Sequence, residues 1–272
     1  MPRKPLIVMP VEAPVQQAAF DLYDTLVQAI TASGETLQDG DVLAVSSKYA
    51  AISEGRIIAL ADVVPTREAE EIAHRYHMNP AIVQLVMQEA DHIFGGIEGF
   101  LLTVKDGILS PNAGLDRSNI PNGYVVLFPA HPYQLAATIR REIQARLGVT
   151  VGVILTDSWL MPGRLGTSGV ALATAGFKPV QDERGKEDLF GNPMQVTQRG
   201  IADTICVCAQ MVMGERDEAT PIAIVRNSGV SMTDDEITVA DVAIDWPMCI
   251  YVESLTTGLL EDNLARAKAN GR

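Results

Sequence analysis

Val149-Thr-Val-Gly-Val-Ile-Leu-Thr-Asp157 is an apolar run that ends on a carboxylate, with Ser158 directly beside it. Shorter runs of the same kind at residues 5–10, 41–45, 57–60, 100–104, 108–109, 124–128 and 222–225 read as strands, most of them bounded by turn residues. Apolar residues return at helical spacing between them. Residues 17–31 (Phe20, Leu22, Tyr23, Leu26, Ile30), 67–77, 80–89, 133–147 and 198–213 are the predicted helices. Pro65-Thr66, Asn79-Pro80 and Pro132 open three of them, and Gly148 closes one. Asp106-Gly107 is a hairpin dipeptide that joins the two strands on either side of it. The glycine-rich stretch 158–169 reads as a long loop, and long loops in compact domains are often functional. Toward the C-terminus, Thr233-Asp-Asp-Glu236 resembles a helix start, residues 239–250 a strand, and residues 259–272 a terminal helix that frays.

Two further carboxylates have settings similar to Asp157. Asp116 sits in Asn112-Ala-Gly-Leu-Asp-Arg-Ser-Asn119, a polar turn between apolar runs, and Glu215 follows the helix-like segment ending in Met211-Val-Met-Gly214. Mg²⁺ and Mn²⁺ prefer such hard oxygen ligands, and Ser158 could add a hydroxyl. The central expectation is that Asp116, Asp157 and Glu215 meet around divalent metal. The chemistry alone leaves open that these are ordinary solvated or capping carboxylates, because spacings of this length form no local ligand motif. Ser46-Ser47-Lys48, just past a strand end, suits phosphate contacts but is equally ordinary loop composition. His74 and His77 share a helix face, which reads as solvated in the absence of an acidic partner.

The 272 residues, 47% of them hydrophobic, suffice for a large core. A net charge of −13 argues against a nucleic-acid surface. Cys206, Cys208 and Cys249 are an odd set without C-x-x-C spacing, which suggests a reduced compartment and core packing. No run reaches the length of a membrane span or forms a signal-peptide core, so the sequence reads as cytoplasmic. Walker A, G-x-S-x-G and H-E-x-x-H motifs do not occur.

In their order, several segments resemble the coenzyme F420-0:L-glutamate ligase (gamma-glutamyl ligase) family. They are Gly40-Asp-Val-Leu-Ala-Val-Ser-Ser-Lys48, Glu54-Gly-Arg56, the Asn112 to Asn119 turn, Val153-Ile-Leu-Thr-Asp-Ser158, Asp188-Leu-Phe-Gly191, Val196-Thr-Gln198 with Ala202-Asp203, and Met213-Gly-Glu215. The resemblance implies an α+β (mixed α/β) fold of two interlocked subdomains with mixed sheets, residues 1–272 forming one unit, and a homodimer. It also implies a GTP-driven reaction that activates a small carboxylic acid, such as the F420-0 precursor, as an acyl phosphate for attack by L-glutamate. Mg²⁺ or Mn²⁺, two ions in all, and K⁺ are the implied ions. On matching positions, Asp116 and Asp157 would hold one metal, Ser158 and Glu215 a second, and Ser47, Lys48 and Asn119 would touch nucleotide; no residue is assigned as catalytic.

The chain also departs from the family pattern. Ala13-Pro-Val-Gln-Gln-Ala-Ala-Phe-Asp-Leu22 replaces a Gly-Leu-Pro-x-Ile and Gly-Asp-Asp-Leu signature, and Ile52 stands where a nucleotide-contacting lysine is expected. Leu160-Met-Pro-Gly-Arg164 keeps only the last arginine of a Gly-Arg-Pro-Trp-Arg loop, and Arg216-Asp-Glu-Ala-Thr220 replaces a glycine-rich loop. A divergent substrate is the corresponding expectation. Two other functions stay open: a relative that binds metal and small ligand without ligation, and a metal-dependent phosphohydrolase.

Overall fold

The computed structural model describes residues 4–257. In chain order the elements are β1 (Ile7–Val11), α1 (Leu22–Ala32), β2 (Val42–Ser46), α2 (Ser47–Ser53), β3 (Ile57–Ala59), α3 (Arg67–Tyr76), α4 (Pro80–Glu89), β4 (His92–Ile97), β5 (Phe100–Lys105), β6 (Ile108–Pro111) and β7 (Tyr124–Val126). The chain continues through α5 (Pro132–Leu147), β8 (Gly152–Leu160), β9 (Thr167–Ala175), β10 (Val180–Asp182), β11 (Gln198–Gly200), α6 (Ile201–Met213), β12 (Ile222–Arg226) and α7 (Ile250–Thr257). This is an α+β architecture.

A five-stranded sheet in the order β1-β12-β2-β8-β9 is its centre. All its pairings are antiparallel except β2 with β8, which run parallel. Alternation along β2 explains why both faces are covered. Leu43 and Val45 join a core with α1 and α5, whereas Val42 and Ala44 join a second core with α6. On α6, Ala202, Ile205, Cys206, Ala209 and Met213 face the sheet. The helix comes close at Gly169, where an added Cβ would lie 2.6 Å from the Cys206 carbonyl carbon.

Between α2 and α5 the chain builds a separate layer. Sheet β4-β5-β6 and helices α3 and α4 share their own core of Ala69, Ala73, Ile82, Val83, Val86, Leu101 and Ala113. Strands β3 and β7 pair with each other and lead the chain into this layer and back. The matched segment around Arg56 serves this junction, since Arg56 bonds Glu89 at 2.7 Å and the Phe128 carbonyl, while Glu54 accepts from the Ala130 N–H at 2.9 Å.

Several sequence expectations need correction. The first helix starts at Leu22 because Asp21 caps it, accepting from the Asp24 N–H. Ser47 and Lys48 are not loop residues, because Ser46 caps α2 and they form its first turn. Strand β4, not anticipated after His92, pairs with β5. The stretch 158–169 is a hairpin rather than a long loop, with Leu160 paired to Thr167 and only residues 161–166 connecting the strands. The helix expected from Gln198 begins at Ile201, as Gln198–Gly200 forms β11 against β10. Residues 233–236 do not start a helix, and residues 239–250 contain two single 3₁₀ turns, Val239–Asp241 and Trp246–Met248, in place of a strand. The terminal helix expected at 259–272 lies outside the described residues.

Candidate active site

The parallel pair β2 and β8 sends two polar groups out of one end of the large sheet, where ligands of α/β sheets commonly gather. β2 passes directly into α2, so Ser47 and Lys48 follow the strand end. β8 continues past its apolar part and presents Asp157 and Ser158. A bulge opposite, where the β9 register shifts between Leu155 and Thr156, lies next to this point. Asp203 of α6 supports the bulge by accepting from the Ala171 N–H at 2.8 Å.

Four of the residues expected at the site form one hydrogen-bonded row. The Ser47 hydroxyl donates to Asp157 Oδ2 at 3.0 Å, the Ser158 N–H to Asp157 Oδ1 at 2.8 Å, and the Ser158 hydroxyl to Glu215 Oε2 at 3.1 Å. Asn119 reaches the same loop, its side-chain amide donating to the Glu215 carbonyl at 3.4 Å. Asp116 stands across from the row and is engaged differently. Lys48 Nζ lies 2.6 Å from its Oδ2, and the Ser118 N–H donates to its Oδ1 at 2.7 Å. The seven expected residues are thus brought to one place. Among the described residues no three His, Cys, Asp or Glu side chains stand close enough to form a ready metal cage. The convergence consists of separated carboxylates linked through hydroxyls.

The loop that carries Asp116 is held by unusual backbone. Asn112, Ala113 and Gly114 have φ of +51°, +53° and +75°, three successive left-handed residues. Such a conformation costs an alanine roughly 1–2 kcal/mol, and surrounding bonds over-determine it. The Asn112 side-chain oxygen accepts from the Leu101 N–H at 2.8 Å, and buried Ala113 donates to the Thr103 hydroxyl at 2.8 Å. Gly114 is required on two counts, since an added Cβ would also lie 2.3 Å from the Phe128 ring. Asp116 then bonds Val126 through its own backbone in both directions, at 3.0 and 2.9 Å.

The two aspartates have opposite electrostatics. Burial pushes the Asp116 carboxyl up, but the Lys48 ammonium and the Ser118 bonds outweigh it and hold it below the usual range. Burial dominates at Asp157 and, reinforced by the charge of Asp116, raises its pKa to about 6 despite bonds from Ser158 and Ser47. No cation among the described residues forms an ion pair with Asp157. Asp157, Ser158 and Glu215 of the row line a cavity of about 560 Å³, together with the apolar Ala13, Pro14, Tyr49, Ile52 and Trp159. Ile52 is buried in a small apolar cluster with Ala51 and Val126, so an ammonium there would face desolvation.

Ser118, Gln210 and Thr156 were not singled out from the sequence. Ser118 carries most of the contact between the Asp116 loop and Lys48, accepting from Nζ through its carbonyl at 2.9 Å and its hydroxyl at 2.8 Å. The Asp116-x-Ser118 spacing, a side-chain turn signal, is the feature that could have pointed to it. Gln210 and Thr156, 3.3 Å apart, come together only through the packing of α6 on β8.

The family described as F420-0:Gamma-glutamyl ligase matches residues 10–227 of this chain. The chain is 37% identical over 204 residues to the Coenzyme F420:L-glutamate ligase of Methanopyrus kandleri, covering 75% of this chain and 81% of that one. It is 33% identical over 214 residues to the protein of the same name from Methanothermobacter thermautotrophicus, covering 78% and 85%. The counterpart from Methanocaldococcus jannaschii is 36% identical over 195 residues, covering 71% and 78%. Over a continuous match that includes every residue of the hydrogen-bonded row, the chain belongs to the F420-0:gamma-glutamyl ligase family.

Proposed function

We propose that this protein is a metal- and GTP-dependent amide-forming ligase that adds L-glutamate to a small carboxylic acid of the F420-0 kind. The observation that carries this reading is a cavity lined by Asp157, Ser158 and Glu215 together with Asp116 and Lys48, with Ser47 donating to Asp157 from behind. The donor set fits a divalent ion. It is made of hard oxygens, and Asp157 is a carboxylate with a raised pKa and no ion-paired cation among the described residues.

Asp116, Asp157, Ser158 and Glu215 would hold Mg²⁺ or Mn²⁺, and Ser47, Lys48 and Asn119 would contact the nucleotide. When bound, the metal supplies positive charge to the phosphate oxygens during transfer. Lys48 is fixed by Asp116 and Ser118, so its ammonium is oriented before nucleotide arrives. The apolar wall around Tyr49 and Trp159 excludes water from the activated acid. In the proposed sequence a carboxylate oxygen of the acid attacks the γ-phosphorus and GDP leaves. The glutamate amine then attacks the acyl carbon, inorganic phosphate departs, and the amine proton is released. The same reading takes the chain as one unit of two interlocked subdomains, acting as a cytoplasmic homodimer on small molecules.

Thermal unfolding with GTP and Mn²⁺ tests it, because a ligand bound only by the folded state raises the melting temperature. A rise that requires both components is expected. Folded protein with no shift at saturating concentrations of both would overturn the reading, and nucleotide turnover without acid or amine would replace it with a phosphohydrolase.

A further inference from the structure

A second cavity, of about 420 Å³, lies on the other side of the Asp116 loop. Leu115, Asp116 and Ser118 line both cavities, so this short segment is the partition between them. The lining of the second cavity divides into two kinds. Met78, Ile82, Phe100, Leu115 and Val125 supply apolar surface, and Phe100, the first residue of β5, is 44% exposed. The remainder is rich in hydrogen-bond donors.

Arg117 is exposed and has no hydrogen bond or ion pair among the described residues, although the chain carries 34 acidic side chains. Asn79 and Asn112 each engage their side-chain oxygen with backbone, from Ala81 and Leu101 at 2.8 Å in both cases. Their amide N–H groups have no partner among the described residues. Asp116, the carboxylate on the partition, is already matched by Lys48. His77 Nδ1 lies 3.4 Å from Glu98 Oε1. An unpaired guanidinium and two amide groups beside an apolar floor suit a small organic acid, with the anionic end on the donors and the body against Phe100 and Ile82.

We infer that this second cavity is the seat of the carboxylic acid substrate, with Arg117 as its anchor and the 115–118 segment separating it from the nucleotide site. The inference rests on the ligase reading above. Two cavities sharing one thin wall set the acid beside the nucleotide site, with only the 115–118 segment between them. Arg117 then determines affinity for the acid and leaves nucleotide affinity alone.

Steady-state kinetics of the full chain with F420-0, L-glutamate, GTP and Mn²⁺, comparing wild type with Arg117→Ala and Arg117→Lys, tests this. Losing a charge-assisted contact should raise KM for F420-0 about tenfold or more in Arg117→Ala, with partial recovery in Arg117→Lys. KM for GTP should stay within about twofold, since uniform binding of the other substrate is untouched. The melting temperature should not change, because Arg117 makes no hydrogen bond or ion pair among the described residues. An unchanged KM for F420-0 in an active Arg117→Ala enzyme would overturn the inference while leaving the ligase reading intact. Wild-type protein that forms no glutamyl product would overturn the ligase reading itself, and the inference with it.

Discussion

The loop 112–119 and the end of β8 each deliver an aspartate to the same cavity, by opposite physical means. The loop holds Asp116 through left-handed backbone, side-chain bonds and a lysine that neutralises it. The strand holds Asp157 through ordinary sheet pairing and gives it no ion-paired cation, so burial raises its pKa to about 6. Asp116 is thus charged and already satisfied, whereas Asp157 is strained electrostatically and is the group with most to gain from a bound cation. Of the two, only Asp116 has its counter-charge in place among the described residues.

The largest effect that would break this contrast is on turnover. Asp157→Asn should reduce Mn²⁺-dependent amide formation by at least about a hundredfold while the fold persists, as loss of a metal-binding carboxylate does. Measured product formation close to wild type would remove Asp157 from the site. The next tests the loop. Gly114→Ala must place a side chain at φ +75° against Phe128, and it should lower stability by roughly 2–4 kcal/mol in chemical denaturation.

Lys48→Met separates the two aspartates further, leaving Asp116 without its cation. KM for GTP should rise about tenfold, the worth of one charged hydrogen bond. The smallest effect concerns pH. The Asp157 pKa is raised from 3.8 to about 6, so ionisation costs the folded protein nothing below pH 3.8, progressively more between the two values, and the full amount above pH 6. Without metal, Asp157→Asn should therefore equal wild type near pH 4 and exceed it by on the order of 1 kcal/mol at pH 7.5, allowing for partial exposure. Denaturation at the two pH values checks the sign, and a variant less stable than wild type at pH 7.5 contradicts it.

The contrast also separates what could be read in the sequence. Asp106-Gly107 marked its hairpin because both residues take positive φ, +49° and +75°, which few other dipeptides tolerate. Thr66, Asn79-Pro80 and Gly148 marked helix ends through capping chemistry that is local by nature. The five-strand order could not be read this way, because β12 inserts between β1 and β2 and only tertiary packing decides that. Strand β8 reads too short, since Ser158 to Leu160 look like loop residues until β9 is there to pair with them. The expected site residues lay in recognisable segments, yet the role of Ser118 depends on Lys48 arriving from 70 residues away. The opposite pKa shifts of the two aspartates are likewise a property of the assembled cavity.

The most direct measurement is the stoichiometry of the full reaction. Protein incubated with Mn²⁺, GTP, F420-0 and L-glutamate should release one GDP and one phosphate for each amide formed, and none when either the acid or the amine is omitted. GDP release that continues without them, or amide formation that proceeds without GTP, would contradict the account.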